Sequence, residues 1–347
     1  MLQDLQFWTE HLVLIGIWVT LALSLNLING YAGLFSLGHQ GFWGVGAYTA
    51  AVLLKVLPTQ YPQLETNGWM PYLFLLSFPA AMLMAAIFGL AVGIPCLRLR
   101  GDYLAIATLG FGEIFRNLCT NSTTLGTAQG LNIPDVLREM LGSFISDRTT
   151  LRWTERLLFL ALSWGFALFT LILLRNLIRS AHGRAIEAIR EDETAAELLG
   201  VNLARHKVLV FVLGAALAGL AGALYANYQL YVSPGQFNLM RGIDFLAIVV
   251  LGGMGSMTGT ILATFLVYLI PVGLAYLPSE WKIPIFYDPS TPQGWVYHSP
   301  KELWQVVFSF MLVAIILIRP QGLMGRKEWS LVKWWKNRAL KAEKPTA

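Results

Sequence analysis

Charge is what this 347-residue sequence has least of: only 13% of its residues are Asp, Glu, Lys or Arg, about half the share of an ordinary soluble domain. With 56% hydrophobic residues and a mean hydropathy of +0.57, this excludes a water-soluble globular protein. The first 30 residues hold no Lys or Arg, so the basic start of a cleavable signal is missing. The only two cysteines, Cys96 and Cys119, lie in or beside apolar runs. Neither has metal-ligand spacing, and no disulfide can be argued from them. There is no G-x-x-x-x-G-K-[ST] phosphate loop and no Gly-Lys dipeptide, so this device for cradling ATP phosphates is absent. H-E-x-x-H, G-x-S-x-G and cysteine–histidine clusters are missing too, which disfavours an intramembrane enzyme.

What is present is a series of nearly uncharged runs approaching the ~20 residues that cross a bilayer. They are continuous rather than alternating, which argues against a β-barrel. The expected fold is an all-α polytopic membrane protein of about nine segments, between 8 and 10. Crossings are expected at Leu12–Ile28, Leu34–Val56, Pro71–Leu97, Tyr103–Cys119, Leu157–Leu174, Val208–Val232, Ile243–Leu251, Ile261–Leu277 and Leu303–Ile318. Asn29 to Gly33 (NGYAG) reads as a break, and Leu57–Trp69, Thr120–Thr154 and Pro278–Pro300 read as loops. Two rows of small residues, Gly214/Ala218/Gly222 and Ala215/Gly219/Ala223, mark one helix for close packing in lipid. The chain reads as a single domain over 1–347, with a charged segment at 179–207 and a basic tail at 319–347.

The net charge of +5 would suit a nucleic-acid partner, but its distribution does not. Arg98–Asp102, the stretch from Arg175 to Lys207 and the tail hold 2, 6 and 8 Lys/Arg, or 16 of 25. Placing all three on the cytoplasmic side satisfies the positive-inside rule. Trp329, Trp334 and Trp335 in the tail add an interfacial signature.

Gly183 to Val201, GRAIEAIREDETAAELLGV, is an amphipathic segment between two apolar runs. Asp192 is placed to cap a short helix, with Glu193 in its first turn, where the dipole favours negative charge. Gly200 stands where a left-handed residue ends one. Ala195, Ala196, Leu198 and Leu199 give it a small apolar face. So short a helix must dock on something, and the pattern leaves open whether that is a partner or its own chain.

Polar residues inside apolar runs are candidates for a translocation path. These are His39 and Gly41 in the second segment, Glu113 and Arg116 in the fourth, and Gly253 and Gly255 in the glycine break. Each has a structural alternative: a hydrogen-bonded histidine, a local i, i+3 ion pair, tight helix packing.

Several stretches resemble a known family. They are SLNLINGYAGLFSLGHQGFWGVGAYTAA (Ser24–Ala51), RGDYLAIATLGFGEIFRN (Arg100–Asn117), GRAIEAIREDETAAELLGVNLARHKVLVFVLGAALAGLAGALYA (Gly183–Ala226), IVVLGGMGSMTGTILA (Ile248–Ala263) and RPQGL (Arg319–Leu323). In that order they look like the Liv-type permeases, M kind, of bacterial ABC importers for branched-chain and other neutral amino acids. The sequence departs from that pattern at Gly126–Gly130 (GTAQG), where a Thr-Gly-Gly run is common.

The resemblance implies a type II-like importer permease in the bacterial inner membrane. Gly183, Arg184, Glu187, Arg190, Asp192, Glu193, Ala195, Ala196, Leu199 and Gly200 would then couple to an ATPase. It also implies an H-type second permease, two ATP-binding subunits using ATP and Mg, and an extracytoplasmic substrate-binding protein. No cofactor is expected on this chain. The alternatives are the related urea permeases, and a carrier or channel not driven by ATP.

Overall fold

The computed structural model describes residues 2–96, 101–275, 283–287, 295–298, 309–310, 313–314, 317–319 and 321–325. Among them, five helical spans are long and apolar enough to cross a bilayer: Gln6–Tyr31, His39–Gln60, Met70–Cys96, Arg148–Arg179 and Leu203–Gln229. The first comprises α1 (Leu2–Leu25) and a π-helical turn, Asn26–Tyr31. The second joins α2 (His39–Ala51), a π-turn at Val52–Val56 and α3 (Leu57–Gln60). A short α4 (Gln63–Thr66) leads to α5 (Met70–Cys96) and α6 (Asp102–Asn121). After α7 (Val136–Gly142) come α8 (Arg148–Arg179), α9 (Ala181–Glu191), α10 (Glu193–Leu198) and α11 (Leu203–Gln229). Helices α12 (Leu239–Gly252) and α13 (Met257–Ala275) follow.

The fold class is the expected one, an all-α multi-pass bundle. Three further expected crossings are helical, but they are poorer spans for physical reasons. Helix α6 carries Asp102, Glu113 and Arg116. Helix α12, at 14 residues, reaches about 21 Å against a hydrocarbon core of about 30 Å. The apolar part of α13 is Met257–Gly273. The crossing expected at Leu303–Ile318 and the tail after Gly325 lie mostly or wholly outside the described residues.

Helix α11 is the packing centre, and its two small-residue rows explain why. A Cβ on Gly222 would overlap the Trp43 carbonyl of α2, and one on Gly219 would meet Ala81 and Ala85 of α5. A Cβ on Gly214 would lie 2.6 Å from Ile28 Cδ1. Three helices thus approach α11 at backbone distance, which in lipid replaces the hydrophobic drive to associate. Helix α8 runs parallel to α1: Gly16 rests on Ser163, and Arg156 pairs with Glu10 at 2.8 Å. The outer helices α5 and α8 present Tyr72, Leu75, Leu83, Ile87, Leu168 and Ile172 outward, as a bilayer-facing surface would.

Several boundaries differ from the sequence reading. The NGYAG break falls later, because Asn26–Tyr31 continues α1 as a π-turn that swings the Asn26 side chain sideways onto α13. The second segment begins at His39 rather than Leu34 and extends through Gln60. Part of the loop expected at Leu57–Trp69 is therefore helical. The loop at Thr120–Thr154 contains β1 (Leu131–Asn132), which pairs antiparallel with β2 (Tyr231–Val232). It also holds α7 and the start of α8, which is capped by Asp147. Within Pro278–Pro300, β3 (Ile283–Tyr287) and β4 (Trp295–His298) form an antiparallel pair.

Candidate functional site

Two features qualify: the charged surface at α9–α10 and a set of polar and glycine positions within the apolar runs. In the first, the local sequence chemistry is realised in full. Asp192 Oδ1 accepts from the amides of Thr194 (2.8 Å) and Ala195 (3.0 Å), opening α10. The helix closes on Gly200, φ +83°, with Gly200 N donating to Glu197 O and Val201 N to Ala196 O at 2.9 and 3.0 Å. This double bond over a left-handed glycine is the Schellman ending. Lys207 Nζ donates to Glu193 Oε1 at 2.6 Å and ties α10 to the base of α11. Gly183, in the first turn of α9, is buried so tightly that a Cβ would strike the Ile178 backbone.

The apolar face of α10 is divided. Ala196 is 1% exposed and packs on its own chain, whereas Leu198 and Leu199 are 84% and 82% exposed, beside exposed Ala195. The helix thus docks on its own bundle and still offers an apolar tip outward. Arg184 and Glu187 are likewise exposed. Arg190 turns inward. Added Cβ atoms on Gly33 and Gly255 would each come within 2.9 Å of its side chain, and both glycines have positive φ, +66° and +88°. A cavity of about 320 Å³ lies there, lined by Tyr31, Glu187, Arg190 and Gly255 among others.

Behind this cavity sits Asn26, 1% exposed. Its Nδ2 donates to Ser256 O (3.0 Å) and Thr260 Oγ1 (2.8 Å), and its Oδ1 accepts from Gly255 N (2.9 Å). The Gly253–Gly255 stretch is therefore a turn between α12 and α13, pinned to the π-turn that continues α1. Gly253, φ +105°, lies against the Gln321–Gly325 segment, and Leu323 N donates to Leu251 O at 2.8 Å. The α9–α10 surface, the glycine turn and the Gln321–Gly325 segment thus form one contiguous end of the bundle.

The remaining candidates in the apolar runs each make a close contact within the bundle. His39 Nε2 shares a 2.8 Å hydrogen bond with Ser24 Oγ, and the ring is buried. A Cβ on Gly41 would lie 2.9 Å from Gly112 Cα of α6, so this position serves helix contact. Arg116 Nε and Nη2 both reach Glu113 Oε2 at 2.8 Å, a closed local pair.

One ionisable pair was not singled out in the sequence, although its signal was there: Arg241 and Asp244 stand i, i+3 in the otherwise apolar start of α12. Their closest N···O distance is 3.7 Å, with side chains 48% and 38% exposed. They line a cavity of about 330 Å³ with Trp18, Tyr225 and Tyr268. Among the described residues, no group of three or more His, Cys, Asp or Glu could hold a metal ion.

Residues 8–316 match the family described as branched-chain amino acid transport system, permease component. Among curated relatives, the chain is 41% identical over 265 residues to the high-affinity branched-chain amino acid transport system permease protein LivM of Escherichia coli, covering 72% of this chain and 59% of that protein. The matched region therefore spans under two thirds of that relative's length. A probable LivM of Methanocaldococcus jannaschii is 25% identical, covering 90% of this chain and 91% of its own. The E. coli LivH permease is also 25% identical, with 90% and 92% covered. No solved structure matches. On the family match across nearly its whole length, and on its multi-pass bundle, the chain belongs to the permease components of branched-chain amino acid transport systems.

Proposed function

We propose that this chain is the M-type membrane subunit of a binding-protein-dependent ABC importer for branched-chain or other neutral amino acids. In this reading the whole chain, 1–347, is one permease domain in the bacterial inner membrane. Its coupling segment, 179–207, and its tail, 319–347, face the cytoplasm. A second, H-type permease pairs with it; similarity to both LivM and LivH proteins supports a homologous pair. Two ATP-binding subunits supply the hydrolysis, using ATP and Mg, and a soluble binding protein delivers substrate from outside.

The observation that carries this reading is the divided face of α10. A capped and glycine-terminated six-residue helix, tethered by Lys207–Glu193, holds Leu198 and Leu199 out at more than 80% exposure. Adjacent exposed leucines on a charged surface suit a partner's groove, and the Arg190 contacts give any push there a route to the glycine turn.

Purification of the tagged chain from its native membranes tests this. An ATPase subunit should co-purify with the wild type, and Leu199→Asp should reduce its recovery at least tenfold while leaving chain yield unchanged. Equal recovery with Leu199→Asp would remove α10 as the coupling element.

A further inference from the structure

The cavity at the start of α12 has a composition that packing alone does not explain. Trp18 lies six residues into the apolar run that begins at Leu12, about 9 Å along α1. Arg241 and Asp244 therefore stand against Gln6–Tyr31, one of the helical spans long and apolar enough to cross a bilayer, a setting in which unpaired charge is costly. The guanidinium carbon lies 5.8 Å from the Trp18 ring centroid, within cation–π range.

The two charges are not closed on one another. Their 3.7 Å separation is beyond hydrogen-bond length, whereas Glu113–Arg116, Glu10–Arg156 and Lys207–Glu193 close to 2.8, 2.8 and 2.6 Å. Both are lining residues of the 330 Å³ cavity, at the lower end of the roughly 300–1,000 Å³ typical of small-molecule sites. One fixed charge of each sign, a few ångströms apart, matches a small zwitterion. Trp18, Tyr225 and Tyr268, from three other helices, supply an aromatic wall.

We propose that this cavity is a membrane-embedded station for a neutral α-amino acid. Arg241 takes its carboxylate, Asp244 its ammonium group, and Trp18, Tyr225 and Tyr268 its apolar side chain. A bidentate guanidinium–carboxylate contact fixes orientation, and a neutral pair of site charges disfavours substrates with a net charge on their side chain. Specificity here is for the backbone zwitterion plus apolar bulk, which complements whatever selection a binding protein makes upstream. The proposal rests on the amino-acid transport reading above.

The test uses the full chain in the complex purified from its native membrane, reconstituted in lipid nanodiscs without binding protein. Radiolabelled leucine should bind the wild type saturably. 4-Methylpentanoate, which lacks the ammonium group, and 3-methylbutylamine, which lacks the carboxylate, should each compete at least tenfold more weakly than leucine. Arg241→Gln and Asp244→Asn should each weaken leucine binding at least tenfold, whereas Met240→Gln, at an exposed neighbouring position outside the lining, should not.

The wild-type competition needs no variant to fold. Absence of saturable binding, equal competition by either analogue, or wild-type affinity in both charge variants would overturn the proposal. So would loss of complex assembly in those variants with leucine binding retained, which would make the pair a subunit contact. ATP-dependent leucine uptake by the same wild-type complex, reconstituted instead in proteoliposomes with its binding protein, separates the two failures. If uptake persists while the binding test fails, only the station is lost; if uptake fails, the transport reading is lost with it.

Discussion

Asn26 is the residue on which one end of the bundle converges, because its amide meets Gly255 N, Ser256 O and Thr260 Oγ1 at once. Its replacement by Ala leaves a buried backbone amide without its acceptor and a carbonyl without this donor. We expect a loss of about 2–3 kcal/mol, read as a lowered unfolding midpoint of the purified protein. Asp147, outside the membrane span, provides a pH-dependent case. Hydrogen bonds from the Thr149 hydroxyl first, then the Thr150 hydroxyl, then both backbone amides hold its carboxyl well below the usual carboxylate range. A depressed native value means that its stabilisation is complete above the unfolded value of about 4 and is lost as pH falls through the native one. Amide protection at Thr149 and Thr150, corrected for intrinsic exchange, should therefore fall at strongly acid pH. Asp147→Ala should abolish that dependence.

At the scale of elements, local chemistry was readable and direction was not. Asp192 and Gly200 bracket α10 because capping and a left-handed stop depend only on near neighbours. The two rows on α11 were visible because a helix repeats its face at fixed spacing. In contrast, six residues are too few for periodicity to show that Ala196 turns inward while Leu198 and Leu199 turn out. The break expected at Asn29–Gly33 begins inside the π-turn Asn26–Tyr31, whose Asn26 side chain is held by partners more than 200 residues away in the α12–α13 turn. Arg241 and Asp244 acquire their setting only when α1, α11 and α13 close around them.

Two expectations follow for these elements. Gly222→Val should destabilise the α2–α11 contact by more than the 1–3 kcal/mol of ordinary overpacking, because the obstacle is the Trp43 carbonyl rather than a movable side chain. Lowered thermal stability in detergent is the readout. Ala196→Asp should lower folded yield by burying a charge, in contrast to Leu199→Asp, which should leave yield intact.

For the whole molecule, the account joins three layers. An α11-centred bundle is welded by small residues. A pinned glycine turn meets α9 through Arg190. A self-docked α10 exposes two leucines. In the proposed reading, the chain's contribution is to convert motion at α10 into rearrangement around α12 and α13. The central claim is that this motion comes from ATP hydrolysis on another subunit. Leucine uptake into proteoliposomes holding the purified complex, with binding protein outside the transport-competent face, measures it directly. The account predicts accumulation only with enclosed ATP and Mg, and none when Leu199→Asp removes the coupling contact. Accumulation driven by an ion or substrate gradient in the absence of ATP would contradict it.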